Sequence, residues 1–286
     1  MNLSERLYWL GSYSLGALRK PSNLRGLLGL KRTSFEAHWF APKAEPTSFP
    51  ALDQVLASPP GLLAIGGKVT DVSLFAAFQA GIFVCHQAHQ PTKWWSPDPR
   101  MVLFPEDMYL QKTLQRLIRN DRFAISFNQA FDDVVDACAY PRPNSPENWV
   151  LPLAETYKAL HRQDRAFSVE AWDKEGALAG GVFGLVSNRL LSVESMFTRV
   201  NHASKIALAH LCAHLRHWDY PCIDMQMPTD HLASLGCRPI PRADYLSLVE
   251  RAHNASPHPQ LWLVNVKPGK DGTPELLQQD GQKMAS

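Results

Sequence analysis

Long hydrophobic runs are missing from this 286-residue sequence. No stretch reaches the roughly eighteen apolar residues that a membrane-spanning helix needs, so a helical membrane protein is excluded. Cysteine is sparse, with Cys85, Cys138, Cys212, Cys222 and Cys237 the five present. Their odd number and the absence of C-x-x-C spacing argue against a disulfide framework, and free thiols in a reducing compartment are expected. Charge of one sign is not in excess either. With a net charge of +2, contact with a nucleic acid must come from a local patch. The N-terminus carries Glu5 and Arg6 where a secretory signal would need an apolar core, which favours the cytoplasm. Arg6, Arg19, Lys20, Arg25, Lys31, Arg32 and Lys43 against only Glu5 and Glu36 leave a transit sequence as the alternative.

What is present is a globular chain, 45% hydrophobic and 20% charged, without an internal repeat. Residues 1–45 give weak helical signals and read as an N-terminal extension. A small domain is expected over 46–100, with Asp71 capping a helix that runs through Phe78 and ends at Gly81. A larger domain follows over 101–265. Leu110, Leu114, Leu117 and Ile118 recur at the helical period, leaving Lys112, Arg116, Arg119 and Arg122 on another face as a candidate basic patch. Strand 124–127 and helices 131–139 and 153–161 come next. An antiparallel meander is read over 167–172, 177–185 and 190–194, with hairpin turns at 173–176 and 187–189. An amphipathic helix over 201–217, a strand over 222–227 and short helices over 230–235 and 245–252 complete an α+β, mixed-sheet fold. The tail 266–286 is polar and expected to be loosely ordered.

On a regular strand Asp224 and Gln226 share one face. A carboxylate beside a carboxamide can hold its NH2 and aim its carbonyl oxygen at an attacking amine, although a solvated polar face has the same pattern. Glu194 closes a strand and suits a cation, either an amine substrate or Arg199 or Lys205 as an ion-pair partner. Cys85, His86, His89 and Cys138 fit no common zinc spacing, and no metal is expected. Asp230, His231 and Ser234 are too close on one helical turn for a catalytic triad. The glycines at 180, 181 and 184 lack the strand-to-helix context of a dinucleotide loop.

The segments Gly61–Gly67, Gly81-Ile82-Phe83, Trp94-Trp95-Ser96-Pro97-Asp98-Pro99-Arg100, Glu194–Arg199, Ile223-Asp224-x-Gln226, Asp230–Gly236 and Ile240–Leu246 carry a family pattern in order. From about Phe49 to about Leu263 the chain resembles the leucyl/phenylalanyl-tRNA–protein transferases. The resemblance implies a C-terminal domain like the GNAT acyltransferases and transfer of leucine or phenylalanine, with methionine as a further apolar candidate. The donor would be charged tRNA and the acceptor a protein beginning with Arg or Lys, marked thereby for N-degron degradation. It also implies Asp224 and Gln226 as the catalytic relay, Glu194 in the acceptor site, and Trp149 against the terminal adenosine. An amino-acid pocket of Val182, Leu191, Met196, Leu208 and Ile223 is implied as well. Neither cofactor nor metal is needed, and a monomer is expected.

Four positions depart from the family pattern. Val84 and Cys85 stand where Pro-Trp is usual, so Cys85 occupies the place of the second adenosine-stacking residue. Val193 replaces a glycine before Glu194, and Val182 a methionine. A small-molecule or peptide acceptor, or a non-catalytic RNA- or degron-binding homologue, is therefore the alternative. A CoA-dependent acetyltransferase is disfavoured, because no glycine-rich pyrophosphate loop precedes the 203–217 helix. The Trp94–Arg100 run itself reads as a rigid aromatic turn between domains, valuable as an identifier rather than as machinery.

Overall fold

A computed structural model describes residues 37–57, 59–85, 91–140, 150–257 and 262, with two short strands at 266–268 and 274–276. The first sheet holds β1 (His38–Phe40), β2 (Leu62–Gly66), β3 (Phe83–Cys85) and β4 (Lys93–Trp95), in the order β1-β2-β4-β3. Strand β1, which lies inside the segment read as an N-terminal extension, pairs in parallel with β2. Trp94 is fully buried and donates its indole N–H to the Gly66 carbonyl at 2.9 Å. Helix α1 (Asp71–Gln79) is capped by Thr70, not by Asp71. Thr70 Oγ1 accepts from the Ser73 backbone N–H at 3.2 Å while Ser73 Oγ accepts from the Thr70 N–H at 2.8 Å, a reciprocal box that Asp71 at the next position cannot make.

The second sheet has seven strands in the order β11-β5-β10-β9-β8-β7-β6. They are β5 (Arg100–Leu103), β6 (Ala124–Phe127), β7 (Ala166–Trp172), β8 (Leu178–Ser187), β9 (Leu190–Thr198), β10 (Ile223–Gln226) and β11 (Arg238–Ile240). Strands β7 to β9 form the expected antiparallel meander, β6 pairs antiparallel with β7, β10 runs parallel to β9, and β5 and β11 close the edge antiparallel. The fold is thus α+β with mixed sheets.

Alternation along the strands feeds two cores. Phe167, Val169, Val182 and Val186 face one, under α2 (Lys112–Arg119) and α5 (Ala203–His217). Phe183 and Leu185 face the other, shared with α3 (Phe131–Ala139), α4 (Ala154–His161), α7 (Arg242–Asn254) and with Leu63, Leu74 and Trp94 of the smaller sheet. One hydrophobic cluster therefore joins the two sheets. Helix α5 is not amphipathic in the structure: even His210 and His214 are buried, because α2, the large sheet and the tail enclose it. In that tail β12 (Val266–Pro268) and β13 (Pro274–Leu276) pair antiparallel beside α5. Residues 277–286 lie outside the described residues.

Candidate active site

Strands β9 and β10 share a single paired position, Asp224 with Ser192, and both bulge just beyond it. On β9, Gly184 pairs with Val193 and Phe183 with Ser195, leaving Glu194 as the inserted residue. Gly184 makes this possible, since a Cβ there would sit 1.7 Å from the Ser192 carbonyl oxygen. On β10, Asp224 opposes Val102 and Gln226 opposes Met101, so the register slips by one residue and Gln226 adopts a positive φ of 64°. Bulges re-aim side chains. The regular alternation that would put Asp224 and Gln226 side by side on one face consequently fails at Gln226.

The hydrogen bonds show the result. Glu194, buried at the bulge, accepts from Ser192 Oγ at 2.7 Å and Gln226 Nε2 at 3.0 Å on one oxygen, and from the Tyr157 hydroxyl at 2.9 Å on the other. Because a carboxylate only accepts, the Gln226 NH2 must face Glu194, which turns its carbonyl oxygen away. Asp224 holds the Gln226 backbone N–H at 2.9 Å. It also accepts from Arg100 Nε at 2.8 Å and Nη2 at 2.5 Å, and from the Tyr245 hydroxyl at 2.9 Å. Glu194 thus holds the carboxamide and Asp224 the backbone N–H of Gln226, where a regular strand would have set Asp224 beside the carboxamide. Arg100, the last residue of the Trp94–Arg100 run, reaches this site.

Burial raises the Glu194 pKa, the bonds from Ser192 and Tyr157 pull it down, and nearby Asp224 raises it again. Burial likewise pushes the Tyr157 and Tyr245 phenols well above their ordinary values, with Glu194 and Asp224 respectively adding to the effect, so both remain donors. Neither Arg199 nor Lys205 pairs with Glu194 among the described residues.

Glu194 opens onto a cavity of about 1280 Å³. Its acidic lining comes from Asp133 and Asp136 on α3 and from Glu194; Arg199, Lys205 on α5 and His231 on α6 (Asp230–Ala233) supply basic groups. Asp136 is neutralised by Lys158 at 2.8 Å.

The family model for leucyl/phenylalanyl-tRNA protein transferase matches residues 102–250. The leucyl/phenylalanyl-tRNA–protein transferase of Pseudomonas syringae pv. syringae is 45% identical over 203 residues, covering 70% of this chain and 88% of its own. That of Aromatoleum aromaticum is 42% identical over 225 residues, covering 78% and 93%. The chain belongs to this transferase family.

Among the residues that membership in the transferase family brings forward, Met196 is half-buried, lies opposite Val182 and lines the cavity. Val182, Leu191, Leu208 and Ile223 are fully enclosed in the core that Met196 packs against. Cys85 ends β3, half-buried with its thiol pKa raised by burial, and is not in the cavity wall. Trp149, His86 and His89 lie outside the described residues. Lys112, Arg116 and Arg119 are exposed on α2, and Arg122 lies over the Phe123 ring at 5.3 Å; none lines the cavity. All five cysteines are free thiols, and no group of three His, Cys, Asp or Glu among the described residues could hold a metal. Ser234 Oγ donates to the His231 carbonyl at 2.6 Å, not to its ring.

Four residues of the site escape sequence reasoning: Tyr157, Ser192, Arg100 and Tyr245. Ser192 was within reach, because it sits two positions from Glu194 on one strand. The others join from helices and a distant strand, and only the fold brings them in.

Proposed function

We propose that this chain is an aminoacyltransferase that moves leucine or phenylalanine from charged tRNA to the N-terminal amine of proteins beginning with Arg or Lys, committing them to N-degron degradation. The observation that carries this reading is the Gln226–Glu194 pair, a carboxamide held at 3.0 Å by a buried carboxylate beside a cavity with acidic and basic walls. The acidic side suits a cationic acceptor, and the basic side suits the phosphates of a tRNA end.

The donor ester is already activated, and an α-amine with a pKa of about 8 is partly neutral near physiological pH. Gln226 then presents its carbonyl oxygen to an amine N–H, and Glu194 balances charge building on that nitrogen. The amine attacks the ester carbonyl, an amide C–N bond forms, the C–O bond to the ribose breaks, and the proton shed by nitrogen ends on the departing ribose oxygen. Orientation is the main contribution asked of the protein.

Residues 46–100 form a small N-terminal domain in this reading, and those from 101 to 265 a GNAT-like catalytic domain. Support comes from a meander followed by a parallel strand that diverges from it where the site opens. Free thiols favour a cytoplasmic setting, and no helix among the described residues is long and apolar enough to cross a membrane.

The test is incubation with radiolabelled leucyl-, phenylalanyl- or methionyl-tRNA and an Arg-initiated peptide. Label should appear in the peptide from the first two donors. Absence of transfer from every charged tRNA overturns the proposal.

A further inference from the structure

Asp224 has four donors on two oxygens: two from Arg100, one from Tyr245 and the backbone N–H of Gln226. Nothing is left over for a substrate. All three side chains are enclosed, with exposures of 2% for Asp224, 1% for Arg100 and 0% for Tyr245. A buried ion pair is weak as a device for stability, because desolvation offsets most of the attraction and an apolar trio would hold the sheet as well. What it does supply is direction.

The Arg100 guanidinium is fixed in plane between two rings, Phe83 of β3 and Tyr245 of α7, each 4.7 Å from its central carbon. One of its nitrogens, Nη1, has no hydrogen-bond partner among the described residues, and the rings and Asp224 set its orientation. Its fork meets Asp224 at two points. The carboxylate is thereby placed to grip the N–H of Gln226, a non-glycine residue at a φ of 64° that needs such a restraint. From that backbone the side chain reaches Glu194.

We infer that Arg100 and Tyr245 are positioning residues for the transfer step. They lock Asp224 so that it pins the β10 bulge, and the pinned bulge aims the Gln226 carboxamide. The inference rests on the function proposed above for this site.

Two conservative variants test it. Tyr245→Phe keeps the ring against Arg100 and removes one hydrogen bond; Arg100→Lys keeps the charge but loses the two-point grip. Transfer to the Arg-initiated peptide should show kcat down about tenfold in Tyr245→Phe and about a hundredfold in Arg100→Lys, with KM for peptide and for charged tRNA within about twofold. Crystal structures of the variants should show Gln226 Nε2 out of hydrogen-bond reach of Glu194.

A folded Tyr245→Phe protein with the parent kcat and an unmoved Gln226 overturns the inference, as does a loss divided equally between kcat and KM. Should Arg100→Lys fail to fold, Tyr245→Phe decides alone. An inactive parent protein would sink the proposed function, yet the crystallographic comparison still decides this point: a displaced Gln226 supports the clamp, and an unmoved one removes it.

Discussion

The Gln226 carboxamide donates to the Glu194 carboxylate at 3.0 Å across the gap where β9 and β10 part. Because the NH2 is committed, the carbonyl oxygen is the end available to an incoming amine. Gln226→Ala removes an interaction that matters as the amine attacks, while leaving the cavity walls in place. Turnover is therefore expected to fall by about two orders of magnitude, with KM for charged tRNA changed by less than about threefold. Steady-state transfer to an Arg-initiated peptide measures both. An equal loss of tRNA affinity would remove Gln226 from this role.

Glu194 gives the site a pH dependence whose sign follows from burial. Its folded pKa is raised, so the folded chain keeps this proton to higher pH than the unfolded chain does. Stability should consequently fall as pH climbs from the ordinary glutamate value of about 4.3 through the raised folded value, and level off above it. Glu194→Gln abolishes that slope. Urea midpoints measured across this range should show the parent losing ground steadily relative to the variant. Transfer by the parent should rise over the same window as the carboxylate ionises; parallel stability curves for parent and variant would contradict the account.

The periodic elements were legible in the sequence because local pattern decides them. Strand 124–127 and helix 131–139 occur with the bounds read from apolar spacing, and the meander differs only at its ends. Short strands such as β1, β3, β5 and β11 were not legible, since so few residues give at most a weak period and these depend on a neighbour to pair with. The site divides in the same way. Glu194, Asp224 and Gln226 stood out as polar residues within apolar strands, but their partners did not. The two bulges break the alternation on which any assignment of faces rests, and Gly184, which permits one of them, read only as a small residue in a strand.

Gly184 leads to a prediction about stability as well as chemistry. A methyl group there would lie 1.7 Å from the Ser192 carbonyl oxygen and 2.9 Å from the Phe167 ring, both closer than van der Waals separation allows. The β9 backbone must shift to admit it, and Glu194 shifts with it. Gly184→Ala should cost about 1–3 kcal/mol by urea denaturation, the usual range for overpacking a filled interior. Activity should fall by more than that loss of folded protein explains. A variant with parent stability would mean that the bulge tolerates a side chain.

Helix α2 tests how the two substrates are held apart. Lys112, Arg116 and Arg119 are exposed, and none of them lines the cavity, so a change there leaves the reacting groups untouched. If this face meets the tRNA backbone, each neutralised phosphate releases counterions and steepens the salt dependence of binding. Replacing Arg116 and Arg119 together by Glu should raise KM for charged tRNA and reduce the slope of log affinity against log salt by about two, one for each phosphate that is no longer neutralised. At saturating tRNA the variant should recover the parent kcat, and its KM for the peptide should not move. A fall in kcat with an unchanged salt slope would instead tie α2 to the active site through α5, against which it packs.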